Sequence, residues 1–234
     1  MQKELLKWHS PAIGKEMEML VYGHGGYPVI VFPTTMGRYH ESTDFGMIEA
    51  AKWFVDNGKV KIYCVDSIDK HSWYNKDVHP SERVKNHLWY DKYILEEVID
   101  PIRKEHGFEK VALAGPSFGG FQALNFAFRH PERVSHLFSM SGAFDVKSFL
   151  DGYYDENVYF NNPTDYMPSN DNPELWKMDI VLGVGEWDIC LEANQKMAEI
   201  LQQKNINHWF DLRKWAKHDW PLWVDMFPHY LSRL

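Results

Sequence analysis

The stretch of this chain with the clearest chemistry is GPSFGG at residues 115–120, which sets a serine, Ser117, between glycines. The apolar run Val111–Ala114 before it predicts a buried strand, and the run Phe121–Phe128 after it predicts an amphipathic helix. A G-x-S-x-G sequence between a strand and a helix is a nucleophile elbow. Its turn is so tight that side chains two residues before and after the serine would collide with neighbouring backbone. The spacing therefore predicts Ser117 as a nucleophile.

A serine hydroxyl is activated by a histidine that takes its proton and by an acid that orients the histidine. Where a nucleophile elbow is present, these residues follow in the order serine, acid, histidine, each at the carboxyl end of a strand. Asp188 comes after the predicted strand Asp179–Val184, and His218 comes after the last predicted strand, His208–Leu212. Order and position therefore favour these two residues as partners of the serine, with Glu186 as the alternative acid.

Acyl transfer also requires two N–H groups that stabilise the negative oxygen of the intermediate, the oxyanion hole. One is the backbone N–H of Phe118, directly after the nucleophile. The other is expected in the loop after strand Tyr27–Phe32, at Thr35 or alternatively at Thr34. Capping of a turn by the two threonines is the competing interpretation.

Three other polar residues near these motifs have simpler interpretations. Ser139 and Ser141 lack the glycines that flank an elbow and are expected to be ordinary serines. Asp219 precedes an apolar segment near the C-terminus, so it is expected to cap the last helix and not to serve as the catalytic acid.

An aromatic segment, HSWYN at residues 71–75, lies in the long loop after strand Val60–Val65, on the same edge of the predicted sheet as the serine. Trp73 and Tyr74, together with Trp187, predict an apolar substrate pocket. The alternative, in which these aromatic side chains pin a long loop to the surface, explains the segment equally well.

Metal or cofactor chemistry has little support in the sequence. Asp66, Asp69 and His71 could act as ligands, but their spacing is not that of a zinc site. The chain has no phosphate-binding loop and no G-x-G-x-x-G sequence at a strand–helix junction. We therefore predict neither a metal nor an organic cofactor.

Strands and helices alternate along the 234 residues, which predicts one α/β domain with a doubly wound, mostly parallel sheet. Besides the strands already named, the pattern predicts Leu5–Ser10, Met17–Tyr22 in a hairpin with Tyr27–Phe32, and Val134–Phe138. The predicted helices are Glu41–Asn57, a long helix from an N-cap at Ser81 to a kink near Asp100, Leu191–Gln203 and Trp220–Leu234. Residues 141–176 show no sustained period and are predicted to form a short cap or lid inserted in the domain.

Charge and composition exclude several classes of partner. The formal net charge of -8 and the isoelectric point near 5.8 argue against nucleic acid as the main partner. The start, MQKELLKWHS, lacks the apolar core of a signal peptide, and no apolar stretch reaches the length of a membrane span. Cys64 and Cys190 are expected to be buried free thiols. We therefore expect a cytoplasmic protein acting on a small-molecule ester, and leave its self-association open.

Three motifs together resemble the esterase D-like branch of the α/β-hydrolases, a group that also holds feruloyl esterases and mycolyltransferases. They are GPSFGG at residues 115–120, GEWD at residues 185–188 and HDWPLW at residues 218–223. The resemblance extends from about Lys15 to the C-terminus and implies an α/β-hydrolase fold. It also implies serine-dependent ester hydrolysis without a cofactor and triad roles for Ser117, Asp188 and His218.

This chain departs from the family pattern at the oxyanion loop, where Pro33-Thr34 replaces the usual His-Gly pair. The insertion at residues 141–176 also has no counterpart in the family pattern. We therefore predict a carboxylic-ester hydrolase whose substrate is open. The alternatives are an acyltransferase with the same triad and a non-catalytic binding module that keeps the fold.

Overall fold

One sheet of eight strands forms the centre of the computed structural model, which describes residues 1–234. The strands are β1 (Lys3–Ser10), β2 (Lys15–Tyr22), β3 (Tyr27–Val31), β4 (Val60–Val65), β5 (Val111–Pro116), β6 (Val134–Met140), β7 (Asp179–Trp187) and β8 (Trp209–Lys217). Their order across the sheet is β1-β2-β4-β3-β5-β6-β7-β8. The pairs β1/β2 and β2/β4 are antiparallel, and all other neighbours are parallel. The predicted mostly parallel sheet is confirmed.

Helices cover both faces of the sheet. They are α1 (Glu41–Asp44), α2 (Met47–Ala50), α3 (Lys52–Asp56), α4 (Pro80–Tyr93), α5 (Asp100–His106), α6 (Phe118–Arg129), α7 (Glu156–Tyr159), α8 (Pro163–Tyr166), α9 (Leu191–Gln203) and α10 (Trp220–Leu231). Successive strand residues alternate between two apolar clusters, as in β3, where Val29 and Val31 join one cluster and Ile30 joins the other. None of the helices combines the length and apolar character needed to cross a membrane.

The predicted hairpin between Met17–Tyr22 and Tyr27–Phe32 is wrong. Strand β4 lies between β2 and β3, and the actual hairpin joins β1 to β2. The connection at residues 23–26 crosses the amino end of β4, where Gly26 has a φ of +101° and any Cβ would collide with the backbone of Lys59. Two strands joined by a glycine-rich link look alike in either topology. The observed topology is favoured because it places the apolar strand β4 between β2 and β3, where both of its edges are paired and buried.

The predicted helix Glu41–Asn57 is broken into α1, α2 and α3. The first break is at Gly46, whose φ of +83° ends the run of helical hydrogen bonds. Of the apolar positions that suggested one helix, Ile48, Ala51 and Val55 face the core, whereas Phe45 and Trp53 are more than half exposed, so the predicted spacing is confirmed only in part.

The long helix after residue 79 begins one residue earlier than the predicted cap. Pro80 occupies the first turn, and the Nδ1 atom of His79, not Ser81, caps the helix by accepting from the Ser81 N–H at 3.3 Å. A π-helical turn at Ile94–Ile99 follows, and α5 restarts at Asp100 as predicted from Pro101, which lacks an N–H.

Residues 141–176 form short helical turns that pack beside the elbow helix. Val146, Leu150 and Val158 of this segment are buried together with Phe118, the first residue of α6, and Trp73. This segment therefore lies against the amino end of α6, the end that carries the serine.

Strand β8 is longer than predicted, since it runs to Lys217 and not to Leu212. The added residues include Arg213 and Lys214, charged side chains that hide a strand from a reading based on apolar runs. On this edge strand Lys214 is exposed and the half-buried Arg213 pairs with Asp211 and Asp225, and the extension of β8 carries the chain to His218.

Candidate active site

The turn between β5 and α6 presents Ser117 at the carboxyl edge of the sheet. Its φ of +54° and ψ of -123° are a strained combination for a residue with a side chain, and its N–H donates to Met140 O at 2.8 Å. A Cβ at Gly115 would collide with the backbone of Gly119, and one at Gly119 would collide with Pro33 and Phe32. The glycines therefore have the steric role that the motif predicted.

Three strand ends bring the predicted triad residues together. Asp188 directly follows β7, and His218 directly follows β8. The Nε2 atom of His218 lies 2.9 Å from Ser117 Oγ, and its Nδ1 atom lies 2.7 Å from Asp188 Oδ1. The Asp188 side chain is fully buried, whereas that of His218 is 17% exposed, so the acid is shielded while the histidine reaches the surface.

Asp188 is held by donors that the sequence reasoning did not identify. The backbone N–H of Cys190 donates to its Oδ1 atom at 2.7 Å. The hydroxyl of Ser141 donates to its Oδ2 atom at 2.6 Å and itself accepts from the indole N–H of Trp223 at 2.9 Å. The expectation that Ser141 is an ordinary serine is therefore wrong. The only available signal was topological, because Ser141 follows β6, the strand next to β7.

The other candidates near the triad have structural partners. Glu186 accepts from the backbone N–H of Trp215 at 3.0 Å and makes no hydrogen bond to His218, so the structure places Asp188 and not Glu186 at the histidine. Asp219 caps α10 by accepting from Trp220 N–H at 2.8 Å, as expected. Ser139 donates to Gly120 O at 3.2 Å and has no contact with the triad.

The charges of the acid and the histidine stabilise each other. Burial alone would raise the pKa of Asp188, but the hydrogen bonds from His218, Ser141 and Cys190 outweigh it and hold that pKa below its ordinary value. Burial would lower the pKa of His218. Hydrogen bonds to Asp188 and to the neighbouring Cys190 outweigh burial and raise that pKa to about 9. The pair is thus built to favour the imidazolium form.

Two backbone N–H groups, one directly after the serine and one in the loop after β3, are free of protein acceptors. Phe118 is the first residue of α6, so its N–H has no partner within the helix. In the loop after β3, Thr34 N–H donates to Glu41 at 2.9 Å and Met36 N–H donates to Asp69 at 3.0 Å, while the N–H of Thr35 between them donates to no protein group. The alternative donor, Thr34, is therefore already engaged.

Asp69 is a buried carboxylic acid that fixes this loop. Besides the Met36 N–H, its other oxygen accepts from the side-chain amide of Gln122 on α6 at 3.4 Å. Burial raises the pKa of Asp69 to about 7, against the opposing effect of these two hydrogen bonds. The loop and the elbow helix are thus joined through one side chain.

The three predicted pocket residues lie in different settings. Trp73 is completely buried and packs against Phe121 of α6. It therefore belongs to the core beside the elbow helix and offers no surface to a ligand. The hydroxyl of Tyr74 lies 3.2 Å from Thr35 Oγ1, at the oxyanion loop. Trp187 is 54% exposed and packs edge to face on Trp215, at the rim of the site.

One group of side chains could hold a metal ion. The ligand atoms of Asp188, Cys190 and His218 lie within 4.8 Å of one another, although two of these residues are already hydrogen-bonded to each other. Asp66 and Asp69, weighed as ligands from the sequence, are instead bonded to Arg38 and to Met36 N–H. Cys190 is only half-buried, which corrects the expectation of two buried thiols.

The chain matches solved structures over nearly its whole length. One is titled "ferulic acid esterase" (TM-score 0.78, 15% identity, covering 99% of this chain and 97% of that one). Another is an S-formylglutathione hydrolase from Staphylococcus aureus (TM-score 0.75, 17% identity, 99% and 95%). A third is MPT51 of Mycobacterium tuberculosis (TM-score 0.73, 15% identity, 100% and 97%). At these identities the likeness establishes the fold, which is that of the α/β-hydrolases.

A family described as "Putative esterase" matches residues 10–234, which is nearly the entire chain. A search of curated proteins gives no significant match. The family match and the strand order agree with the placement of a serine, a histidine and an acid at three strand ends. The chain therefore belongs to this esterase family of the α/β-hydrolases, and the enzyme class that the family implies is the serine carboxylesterase.

Proposed function

We propose that this chain hydrolyses carboxylic esters of small molecules through an acyl-enzyme formed on Ser117. The observation that carries the proposal is the hydrogen-bonded line from Asp188 through His218 to the serine hydroxyl, at 2.7 and 2.9 Å. Two further N–H groups, that of Phe118 directly after the serine and that of Thr35 in the loop after β3, have no protein acceptor and support the proposal as oxyanion donors. A nucleophile, a base and oxyanion donors are the parts that acyl transfer requires.

In the first half of the proposed reaction, Ser117 Oγ attacks the carbonyl carbon while its proton moves to His218 Nε2. The carbonyl oxygen becomes negative and accepts from the N–H groups of Phe118 and Thr35. When the tetrahedral intermediate collapses, the bond to the leaving oxygen breaks and His218 gives its proton to the departing alcohol. Asp188 stabilises the imidazolium throughout without taking a proton itself.

In the second half, His218 takes a proton from water, and the hydroxide attacks the acyl-serine. The ester bond to Ser117 breaks, the acid leaves, and the proton returns from the histidine to the serine. An alcohol in place of water would make the same site an acyltransferase. A non-catalytic binding module is disfavoured, because all three triad residues are present and mutually bonded.

The test is hydrolysis of a 4-nitrophenyl ester series, from acetate to decanoate, by the wild type, Ser117→Ala and a matched control, Ser139→Ala. Ser139 is a buried serine of β6 without a triad contact, so its variant should keep activity while Ser117→Ala loses it. Labelling by a fluorophosphonate should likewise require Ser117. Absence of both turnover and labelling in the wild type would overturn the proposal, and ester formation with added alcohols would reveal an acyltransferase.

A further inference from the structure

A polar cavity of about 300 Å³ adjoins the oxyanion loop. Met36, the residue after the donor Thr35, forms part of its wall. Arg38 of the same loop also contributes, and the rest comes from the start of β2 and from the loop after β4, both of which lie at the carboxyl edge of the sheet. Its charged lining side chains, which define the basic cavity, are Lys15, Glu16, Arg38, Asp66, Lys70 and His71.

The acidic side chains of the basic cavity already have cationic partners. Asp66 binds Arg38 Nε at 2.7 Å. Glu16 lies 3.9 Å from Lys7 and 3.7 Å from His9, both on β1. These contacts leave no carboxylate of the cavity unpaired.

The two lysines of the basic cavity have no such partner, since neither Lys15 nor Lys70 lies within 4.0 Å of a carboxylate oxygen. Lys15 is half-buried, and its burial lowers the pKa, only partly opposed by the charge of Asp66. An ammonium group that is partly removed from water without a counter-ion is costly. A bound anion would remove that cost.

The distance from the serine to this cavity follows from the order of the strands. Ser117 follows β5, and Lys15 begins β2, three strands away across β3 and β4. Neighbouring strands are about 4.8 Å apart, so the separation is about 14 Å. An extended acyl chain of the substrate advances about 3.5 Å over three covalent bonds, so a chain of about twelve bonds would reach from the serine to Lys15.

The position of the histidine selects the part of the substrate that reaches the cavity. The leaving oxygen must lie near His218, which follows β8 on one side of β5. The basic cavity lies on the opposite side of β5, beyond β3. The acyl part of the ester, and not the alcohol, is therefore directed towards the lysines.

We infer that the basic cavity binds an anionic group at the far end of the acyl chain, held by Lys15 and Lys70. This inference rests on the proposed esterase activity and names the substrate class for the same site. The preferred substrates are esters of acids that carry a second anionic group, of which a dicarboxylic acid is the simplest example.

The test compares 4-nitrophenyl monoesters of dicarboxylic acids with monocarboxylic esters of the same chain length, from four to about twelve carbons. The wild type should prefer the anionic member of each long pair by about tenfold in kcat/KM, and added salt should reduce this preference. The variant Lys15→Gln/Lys70→Gln should bring the ratio close to one. Lys104→Gln, which removes an exposed charge on α5 outside the cavity, should leave the ratio unchanged.

The remaining outcomes separate this inference from the proposed function. If the wild type hydrolyses neutral esters but shows no preference within any pair, the anion site is refuted and the esterase stands. If no ester is hydrolysed, titration of Ser117→Ala with monomethyl dodecanedioate and methyl dodecanoate tests the site alone. Tighter binding of the anionic ester that depends on Lys15 and Lys70 supports the site, and equal binding overturns it.

Discussion

Replacement of Ser141 by alanine tests whether the acid of the triad depends on a second serine. The hydroxyl of Ser141 donates to Asp188 at 2.6 Å and accepts from the Trp223 indole at 2.9 Å, and all three side chains are buried. The variant removes one of the three donors to the carboxylate and leaves the indole N–H without an acceptor. Cys190 N–H and His218 continue to hold Asp188.

The expected loss of stability follows from these two contacts. A hydrogen bond to a charged group contributes about 1.5–3 kcal/mol, and a buried donor left without a partner costs about 1–3 kcal/mol. Because the two effects share one site and are not additive, we expect Ser141→Ala to lower the free energy of unfolding by about 3 kcal/mol. Ser139→Ala, which loses a single 3.2 Å bond to a backbone carbonyl, should cost about 1 kcal/mol.

Activity should fall as well, because the carboxylate loses the only hydrogen bond to its Oδ2 atom and is held less firmly against His218. We expect kcat/KM of Ser141→Ala to drop about tenfold, which corresponds to about 1.4 kcal/mol of transition-state stabilisation. The pH dependence of stability adds a second measurement. Since the pKa of folded Asp188 is lowered, its contribution is present above its unfolded pKa and is lost as pH falls through the folded value. Without Ser141 the folded pKa rises, so acid unfolding should begin at a higher pH.

Urea unfolding at several pH values and steady-state kinetics on one ester measure these quantities. The result that refutes the reasoning is equal behaviour of the two serine variants, with the same loss of stability, the same kcat/KM and the same acid limb. In that case Ser141 would only fill space beneath Asp188.

The remaining predictions concern ionisation and metal binding. The proposed mechanism requires unprotonated His218, whose pKa is raised to about 9, so kcat/KM should rise with pH to a midpoint near that value, and a midpoint of about 6.5 would contradict the pairing with Asp188. The stability contributed by His218 should be complete below pH 6.5 and disappear as pH rises through about 9, as calorimetry would show. Burial raises the pKa of Asp69 from 3.8 to about 7, so stability should fall as pH rises between these two values and level off above about 7, and Asp69→Asn should remove that fall in urea unfolding. Zn²⁺ should inhibit by binding Asp188, Cys190 and His218, and Cys190→Ser should require more Zn²⁺ for half-inhibition, while equal inhibition would exclude the thiol as a ligand.

The sequence was most informative where a short segment determines its own geometry. A Cβ at Gly115 would collide with the backbone of Gly119, four residues on, so this part of the elbow is visible without any tertiary information, whereas the collision at Gly119 is with the distant Phe32 and Pro33. The positions of Asp188 and His218 follow from the rule that such residues stand at strand ends, and both directly follow a strand.

Apart from the helix break at Gly46 and the cap at His79, the errors arose where partners are distant in the chain. The place of β4 between β2 and β3 depends on pairing across about forty residues, which no local pattern encodes. Ser141 supports Asp188 from 47 residues away, so its role could not be read from its neighbours in sequence. The N–H of Thr35 could be separated from that of Thr34 only once Glu41 and Asp69 were seen to occupy the flanking groups.

If the N–H of Thr35 serves as the proposed oxyanion donor, the loop after β3 shows when the energetic cost of catalysis is incurred. Carboxylates of Glu41 and Asp69 hold the amides on either side of Thr35, so the free amide is oriented before any substrate arrives. Little reorganisation is then needed as charge develops on the carbonyl oxygen, and the entropy of ordering the loop is lost once, during folding, and not in every turnover. The cost of this arrangement is the burial of Asp69, whose pKa is raised. The fold loses stability there in order to hold the peptide group next to Thr35 in place.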